Sequence, residues 1–249
     1  MTRRNILITG ASSGLGAEMA RQFAAMGRNL ALAARRTERL DELKAEIGER
    51  HPGVTVSVRA LDVTDHDAVF EVFRALRDDL GSLDRVVVNA GLGKGQPLGT
   101  GYFHANLQTA RTNFVGALAQ CEAAMEVFRE QNAGHLVVVS SISAYRGLPR
   151  NLTTYAASKA AVASLAEGIR ADTLRSPITV TTLFPGYIRS EMNDQVKGTP
   201  LMAQTEPGVR AMVRAMEREK ATANVPPWPW NALAVAMRHL PLGVVSRFV

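Results

Sequence analysis

The 249-residue sequence is poor in cysteine and has no long apolar run. Its single cysteine, Cys121, excludes a disulfide framework and offers no cluster for a structural metal. The five histidines are scattered without the spacing of metal ligands, so we expect no metal. No run of about 18 uncharged apolar residues occurs, and we expect no membrane-spanning helix. The N-terminal residues lack the apolar segment of a secretory signal, which favours a cytoplasmic location.

The net charge of +6 at pH 7 raises the question of nucleic-acid binding. Lysine and arginine are spread along the chain without a basic stripe, and aromatic residues do not alternate with them. A basic surface with a few arginines directed at a phosphorylated small molecule explains the charge more simply. We therefore expect no nucleic-acid partner.

Short apolar segments alternate with longer segments of helical period. The strand candidates are Asn5–Thr9, Leu30–Ala34, Val54–Ala60, Arg85–Asn89, Leu136–Ser140 and Ile178–Phe184. The helix candidates are 15–26, 38–50, 66–80, 103–131 and 154–175, with Thr37 and Asp65 as N-caps. Runs such as Val86–Val88 and Leu136–Val139 lack polar alternation, which is typical of parallel sheets covered on both faces. The pattern predicts one α/β domain over residues 1–249, a doubly wound Rossmann-type three-layer sandwich with a mostly parallel sheet of roughly six to seven strands.

A glycine-rich turn follows the first strand candidate and opens the first helix candidate. Its candidate cofactor-binding residues are Thr9, Gly10, Ser12, Ser13, Gly14, Leu15 and Gly16. Glycines permit positive φ and let the backbone approach a pyrophosphate that a side chain would block. The helix N-terminus offers unpaired N–H groups to the same anion. A purely structural turn is the alternative, but the place between a strand and a helix favours dinucleotide binding.

The second strand candidate ends at Ala34 and is followed by Arg35 and Arg36. NAD-specific folds have an acidic residue here, which binds the ribose 2′-hydroxyl. A carboxylate would repel a 2′-phosphate, whereas a guanidinium can hold it with two hydrogen bonds. The sequence therefore predicts NADP, with Arg35 the better candidate because it lies nearer the strand end. Two solvated arginines at a helix start are the alternative.

Tyr155 and Lys159 are spaced i, i+4 within a helix candidate, so they share one face. A free phenol has a pKa of about 10, and we expect the adjacent ammonium to lower it. Tyr155 could then protonate a carbonyl oxygen or deprotonate an alcohol. Ser141, at the end of the fifth strand candidate, could hydrogen-bond the reacting oxygen. Ser143 competes for that role, and loop capping is the alternative for both serines.

These motifs, in this order, resemble the short-chain dehydrogenase/reductase superfamily in its compact single-domain branch, over about residues 5–190. Ser141, Tyr155 and Lys159 match the family's catalytic trio, and the resemblance implies that Lys159 also binds the nicotinamide ribose. Asn113 resembles the asparagine that supports a proton-relay water. The resemblance implies further cofactor-binding residues, namely Asp62, Val63, Asn89, Ala90, Gly91, Pro185, Gly186, Ile188 and Ser190.

The resemblance implies an NADP(H)-dependent oxidoreductase that interconverts a carbonyl and a secondary alcohol, with Tyr155 as general acid and base. The helix that contains Tyr155 has small residues on all its sides, so it resembles the family's dimer interface. The resemblance therefore also implies a homodimer or homotetramer. A non-catalytic NADP-binding regulator is the alternative, against which the intact trio argues. Epimerisation or dehydration of a sugar nucleotide is a further alternative, although such relatives are usually longer.

The C-terminal part of the chain departs from the family pattern. In place of a Gly-rich seventh strand it has Val225 followed by a Pro- and Trp-rich stretch, which predicts a shortened seventh strand. Residues 187–225 are expected to close the pocket, and their methionines are Met192, Met202, Met212 and Met216. Methionine adapts to irregular apolar ligands, so a lipophilic substrate is one interpretation, with core or interface positions an equal alternative. The C-terminal segment 226–249 is expected to pack on the domain or a partner subunit rather than contact a membrane surface.

Overall fold

The computed structural model describes residues 2–93, 95–191 and 201–246. Within them the strands are β1 (Asn5–Thr9), β2 (Asn29–Ala34), β3 (Val56–Ala60), β4 (Arg85–Val88), β5 (Gly134–Val139), β6 (Ile178–Pro185) and β7 (Thr222–Val225). They form one parallel sheet in the order β3-β2-β1-β4-β5-β6-β7. The order reverses between β1 and β4, and ligands bind at this switch point in doubly wound sheets.

Helices cover both faces of the sheet. They are α1 (Gly14–Ala25), α2 (Thr37–Arg50), α3 (His66–Leu80), α4 (Phe103–Ala110), α5 (Gly116–Gln131), α6 (Thr153–Thr173), α7 (Thr205–Glu217), α8 (Pro227–His239) and α9 (Leu242–Val245). Apolar side chains of α1, α2 and α7 pack on one face, and those of α3, α5 and α6 pack on the other. Among the helices of the described residues, none has the length and apolar character needed to span a membrane. The three-layer Rossmann-type sandwich predicted from the sequence is confirmed.

β1 shows why the apolar segments form buried strands. Ile6 and Ile8 pack on the face covered by α1, whereas Leu7 packs on the opposite face. All three side chains are fully buried, because successive residues of a strand point to opposite faces and both faces are covered. Because helices cover both faces of the sheet, polar residues do not alternate with apolar ones along this strand.

Three helix boundaries qualify the sequence interpretation. The carboxylate of Asp65 accepts a hydrogen bond from the Ala68 N–H at 3.2 Å, which confirms Asp65 as the N-cap of α3. Thr37 is the first residue of α2 and not its cap, so that prediction is wrong. The long helix predicted over 103–131 is divided into α4 and α5 by a π-helical turn, Arg111–Val115. Such turns insert one extra residue per turn and often occur at functional sites.

The C-terminal part of the chain has the shortened strand that its prolines predicted. β7 is four residues long, and Pro226 and Pro227 follow it directly. Pro227 and Pro229 lie in the first turn of α8, where a missing N–H costs no hydrogen bond. Trp228 between them keeps non-helical angles, with φ of −102° and ψ of 133°. The prolines therefore mark the beginning of α8 and do not interrupt it.

A buried polar network lies near the amino ends of β4, β5 and β6. Arg85 is 1% exposed, and its guanidinium donates hydrogen bonds to His135 Nδ1 at 2.8 Å, Glu217 Oε1 at 2.5 Å and the Met216 carbonyl at 3.1 Å. His135 Nε2 lies 2.8 Å from Thr181 Oγ1. Burial and the charge of Arg85 lower the pKa of His135 to about 3, so the ring stays neutral and can accept from Arg85. The network ties α7 to the sheet.

Replacing Arg85 by leucine should lower the free energy of unfolding by about 3–5 kcal/mol, because the buried His135 ring loses its donor and Glu217, which keeps Arg28, loses the buried guanidinium. Urea denaturation at neutral pH measures the difference. Arg74→Leu is the matched control, since Arg74 is 50% exposed and pairs with Glu126 at the surface. That control should change stability by less than about 0.5 kcal/mol. A loss below about 1 kcal/mol for Arg85→Leu would contradict the buried-pair interpretation.

Candidate active site

A cleft of about 400 Å³ opens at the carboxyl ends of the central strands. The site residues predicted from the sequence that line it are Gly10, Ser12, Ser13, Gly14, Leu15, Arg35, Arg36, Asp62, Val63, Asn89, Ala90, Gly91, Ser141, Tyr155, Lys159, Pro185, Gly186, Ile188 and Ser190. Thr9, Gly16 and Asn113 are predicted site residues that do not line the wall. The fold thus brings residues far apart in sequence into one concave site.

The glycine-rich turn is shaped by close backbone approach. Gly10 has a φ of +64°, and a Cβ there would lie 2.9 Å from the Cα of Ala90. A Cβ on Gly16 would lie 2.3 Å from the Gly10 carbonyl oxygen. Side chains at either position would therefore push the turn out of shape. The turn leads into α1, whose free N–H groups face the same cleft, and this arrangement fits a pyrophosphate.

Thr9 supports this turn from behind. Its side chain is fully buried, and Oγ1 accepts hydrogen bonds from the N–H groups of Asn89 at 3.1 Å and Ala90 at 3.2 Å. The Asn89 side-chain amide donates in return to the Thr9 carbonyl at 2.9 Å. Thr9 and Gly16 were predicted to bind the cofactor, but they shape its turn instead of facing the cleft. Asn89 both lines the cleft and locks β1 to β4.

The two arginines after β2 point in different directions. Arg35 lies 3.9 Å from Asp62 in a loose, exposed ion pair. Arg36 donates to the hydroxyls of Ser12 at 3.3 Å and Ser13 at 2.6 Å. Successive side chains at a strand end point to opposite sides, so only one of the two reaches the glycine-rich turn. Arg36 is the one that does, whereas the sequence favoured Arg35.

Arg36 also pairs with Glu191, a residue to which the sequence gave no role. The Arg36 Nη1 donates to Glu191 Oε2 at 3.1 Å, and Arg39 pairs with the other carboxylate oxygen. Glu191 lines the cleft, whereas Arg39 does not. A single glutamate more than 150 residues from its partners carries no local sequence signal.

The predicted trio meets at the other end of the cleft. The Ser141 hydroxyl lies near enough to the Tyr155 phenol to lower its pKa. The Ser141 Oγ also accepts from the Ser143 N–H at 3.1 Å, so Ser143 supports Ser141 through its backbone. The Lys159 Nζ is buried one helical turn beyond Tyr155 and donates to the Val139 carbonyl at 2.9 Å. Ser141, Tyr155 and Lys159 therefore share one wall.

Burial sets the ionisation of Tyr155 and Lys159. Burial raises the pKa of Tyr155 above its ordinary value, and the nearby Ser141 hydroxyl only partly opposes the rise. The expected lowering by the ammonium is therefore wrong for this structure, because desolvation of the phenol dominates. Burial also lowers the pKa of Lys159 to about 8. At neutral pH the phenol is protonated and the lysine is cationic.

Asn113 lies in the π-helical turn and clamps the cleft from behind. Its amide exchanges two hydrogen bonds with the backbone of Leu92, at 2.7 and 2.9 Å, and donates to Ser158 Oγ at 3.2 Å. A Cβ on Gly91 would lie 3.2 Å from Asn113 Oδ1 and 3.5 Å from Lys159 Nζ. Asn113 thus fixes the loop after β4 beside Lys159. This is the geometry of a positioning residue.

The substrate side of the cleft is lined by apolar and aromatic side chains. Ile142, Leu152 and Tyr187 line the wall beside Tyr155. Trp230 of α8 packs behind them, with its ring 5.5 Å from that of Tyr187 in an edge-to-face contact. A Cβ on Gly186 would lie 2.0 Å from the indole, so the glycine is needed for this packing. The sequence gave Trp230 no place in the site.

The methionines expected near the substrate lie elsewhere. Met212 and Met216 are fully buried in the core beneath α7, so they are core residues and the pocket interpretation is wrong for them. Met202 is partly buried and does not line the cleft. Met192 lies outside the described residues. Over the described ranges there is also no group of three or more His, Cys, Asp or Glu side chains placed to hold a metal.

Comparisons with known proteins agree with this architecture. The family model for short chain dehydrogenases matches residues 4–200. An uncharacterized oxidoreductase of Mycobacterium tuberculosis is 52% identical over 248 residues, covering 100% of this chain and 98% of that protein. The structure of levodione reductase superposes with a TM-score of 0.83 at 25% identity, covering 93% of this chain and 99% of that one.

An alcohol dehydrogenase from the archaeon Thermococcus sibiricus, solved in complex with 5-hydroxy-NADP, has the same fold. It superposes with a TM-score of 0.79 at 24% identity, covering 89% of this chain and 95% of that one. The match of the family model extends over most of the chain and includes the glycine-rich turn, the trio and the Pro185–Gly186 pair. On these grounds the chain belongs to the short-chain dehydrogenase family of oxidoreductases.

Proposed function

We propose that the protein interconverts a carbonyl and a secondary alcohol with NADP(H), using Tyr155 as general acid and base. The observation that carries this proposal is the contact of the Tyr155 hydroxyl with Ser141, beside Lys159, in the cleft that also contains the glycine-rich turn. A proton donor and a dinucleotide cradle in one cleft suit hydride transfer coupled to proton transfer.

The residues of the cleft fit a nicotinamide dinucleotide along its length. The glycine-rich turn and the α1 N-terminus would hold the pyrophosphate, and Asp62 and Val63 would hold the adenine. Lys159 would bind the nicotinamide ribose, with Pro185 to Ile188 forming the wall beside the nicotinamide ring. When bound, NADPH supplies the hydride and NADP accepts it.

The trio would then handle the proton. Tyr155 is protonated at neutral pH and would donate to the substrate oxygen as negative charge develops there. Ser141, which lines the same cleft near this phenol, would hold the substrate oxygen in line with it. The Lys159 cation would stabilise the phenolate left behind. In the alcohol-oxidising direction the same groups act in reverse.

The preference for NADP over NAD follows from charge at the end of β2. Ala34 ends the strand, and the two residues that follow it are arginines, where an NAD-specific fold has an acidic residue for the 2′-hydroxyl. Arg35 and Arg36 line the cleft instead, and a guanidinium can bind a 2′-phosphate with two hydrogen bonds. The complex of the archaeal alcohol dehydrogenase shows that this fold can hold a dinucleotide of this type.

A lipophilic substrate is supported by the apolar wall of Ile142, Leu152 and Tyr187. These residues take the role that the sequence suggested for the methionines. A non-catalytic NADP-binding regulator has no use for the Ser141–Tyr155 contact, so we favour the enzyme. The homodimer or homotetramer, the cytoplasmic location and the C-terminal contact with a partner or a membrane surface stay predictions. Trp228 at 78% exposed and Leu242 at 57% exposed leave apolar surface there for such a contact.

Tyr155→Phe should reduce kcat for NADPH-dependent reduction of a panel of apolar ketones by about 100- to 10,000-fold, because the proton donor is lost. The dissociation constant for NADPH should stay within about twofold, since the phenyl ring still fills the wall. Stopped-flow absorbance and fluorescence titration measure the two quantities. Tyr102→Phe is the control, being 52% exposed and outside the cleft. Equal NADPH consumption by Tyr155→Phe and wild type would show that another group supplies the proton.

The value of kcat for carbonyl reduction at saturating NADPH should fall as the pH rises through about 8, the pKa of Lys159. Below this pH the lysine is cationic and stabilises the phenolate that forms, and above it the neutral amine does not. The proton on Tyr155 is not limiting there, because its pKa is raised above the ordinary value of about 10. Initial rates at closely spaced pH values measure the profile. A flat profile from about pH 7 to pH 9.5 would contradict this role of Lys159.

Arg36→Gln should weaken NADPH binding by about 10- to 100-fold, since charge-assisted hydrogen bonds to the 2′-phosphate are lost. NADH affinity should change by less than about threefold, because that dinucleotide carries no 2′-phosphate. Isothermal titration calorimetry gives both constants. Arg50→Gln provides the control, as an exposed arginine paired with Glu46 outside the cleft. Equal weakening of NADPH and NADH by Arg36→Gln would mean that Arg36 does not read the phosphate.

A further inference from the structure

The 2′-phosphate end of the cleft contains a carboxylate as well as arginines. Glu191 lines the wall, and its two oxygens pair with Arg36 at 3.1 Å and with Arg39. The Ser13 hydroxyl is near enough to help lower the pKa of this carboxyl. Two guanidinium groups on one anion form a donor set that a phosphate monoester also prefers. Glu191 therefore occupies a place suited to a phosphate.

The guanidinium of Arg36 has its nitrogen atoms engaged. Nε donates to Ser12, Nη2 donates to Ser13, and Nη1 donates to Glu191. The hydrogen bond from Arg39, followed by that from Arg36 and the nearby Ser13 hydroxyl, keeps the pKa of Glu191 below its ordinary value, so the carboxylate is ionised at neutral pH. A 2′-phosphate that approaches Arg36 would meet this negative charge and find three of the five N–H donors already engaged, one of them by Glu191. The phosphate and the carboxylate compete for the same donor.

We propose that Glu191 is an internal anion that occupies the 2′-phosphate subsite and must release Arg36 before a 2′-phosphate can bind. The proposal rests on the NADP preference proposed above. Arg39 does not line the cleft, so it can keep the displaced carboxylate while Arg36 turns to the phosphate. Glu191 thus lowers the affinity for a 2′-phosphorylated nucleotide and leaves that for its unphosphorylated counterpart unchanged.

The test compares wild type with Glu191→Gln by calorimetry, using 2′-AMP and 5′-AMP as probes. 2′-AMP carries its phosphate on the ribose 2′-oxygen, where Arg36 would hold it. 5′-AMP carries its phosphate on the 5′-oxygen and has a free 2′-hydroxyl. Glu191→Gln should bind 2′-AMP about 3- to 10-fold more tightly than wild type, the gain expected when exposed ion pairs no longer compete. Its affinity for 5′-AMP should stay within about twofold of wild type.

Glu206→Gln is the matched control. Glu206 is likewise an exposed glutamate paired with an arginine, Arg210, but it lies on α7 outside this cleft. This variant should bind both probes as wild type does. The glutamine variants change exposed side chains, and equal urea denaturation midpoints will show that their folding is intact.

The outcomes separate this proposal from the proposed function. Unchanged or weaker binding of 2′-AMP by Glu191→Gln overturns the proposal, and weaker binding would make Glu191 a residue that positions Arg36 for the phosphate. If wild type shows no preference for NADPH over NADH and Glu191→Gln gains one, the proposal stands and the NADP preference of the wild type falls. If neither protein distinguishes 2′-AMP from 5′-AMP, both are overturned.

Discussion

The close approach of the glycine-rich turn to the end of β4 is the constraint on which the site depends. Thr9 is fully buried between the two strands, where its hydroxyl holds the N–H groups of Asn89 and Ala90. Gly10 and Gly16 leave no room for a Cβ on this side of the turn. The strand order reverses at this point, so the two neighbouring chain segments leave the sheet on opposite faces and a crevice opens between them. One backbone contact thus defines both the cradle for the dinucleotide and the wall that carries the chemistry.

The same burial that shapes the cleft also sets its acid–base behaviour. Removing the phenol of Tyr155 from water favours its protonated form, and removing the amine of Lys159 favours its neutral form. The two pKa values therefore move apart in opposite directions from ordinary values that nearly coincide. Between them lies a range in which both groups are uncharged. A resting enzyme at neutral pH holds a proton on both groups, which suits donation to a carbonyl oxygen.

The parts of the structure that the sequence predicted are those encoded by short-range pattern. β1, β2, β4 and β5 are mostly apolar segments, the glycine-rich turn is contiguous, and Tyr155 and Lys159 are one helical turn apart. The order of these motifs along the chain was enough to bring the trio and the turn together. Only the structure distinguishes the role of Ser141 from that of Ser143, because both serines lie within the same short loop.

The parts that the sequence missed depend on long-range contacts. Methionines are typical of pocket linings, but the positions of Met212 and Met216 on α7 place their side chains in the core against α1. Arg36 and not Arg35 reaches the turn because the direction of a side chain at a strand end depends on where the strand stops. Trp230 supports the wall of the site only because α8 folds back onto Gly186. No local pattern contains this information.

The two ends of the cleft are held by different kinds of interaction, and this difference separates catalysis from cofactor choice. Beside Tyr155, the short turn that begins at Ser141 is fixed by Tyr145. The ring of Tyr145 stacks on that of Phe184, with 4.7 Å between the ring centroids, and its hydroxyl donates a hydrogen bond to Asn224 Oδ1 at 2.7 Å. Phe184 is buried and Tyr145 is partly buried, so breaking this contact exposes aromatic area and also loses the Asn224 hydrogen bond, which keeps the turn in place.

At the adenine end, by contrast, Arg36 and Glu191 are each nearly half exposed. An exposed ion pair is worth only about 0.2–1 kcal/mol, less than the charge-assisted hydrogen bonds that a phosphate can offer. The donors there can exchange one anion for another without disturbing the trio. Selection for a different nucleotide can therefore act on exposed charges at one end, while packing at the other end preserves the arrangement of Ser141, Tyr155 and Lys159 on which the proposed proton transfer depends.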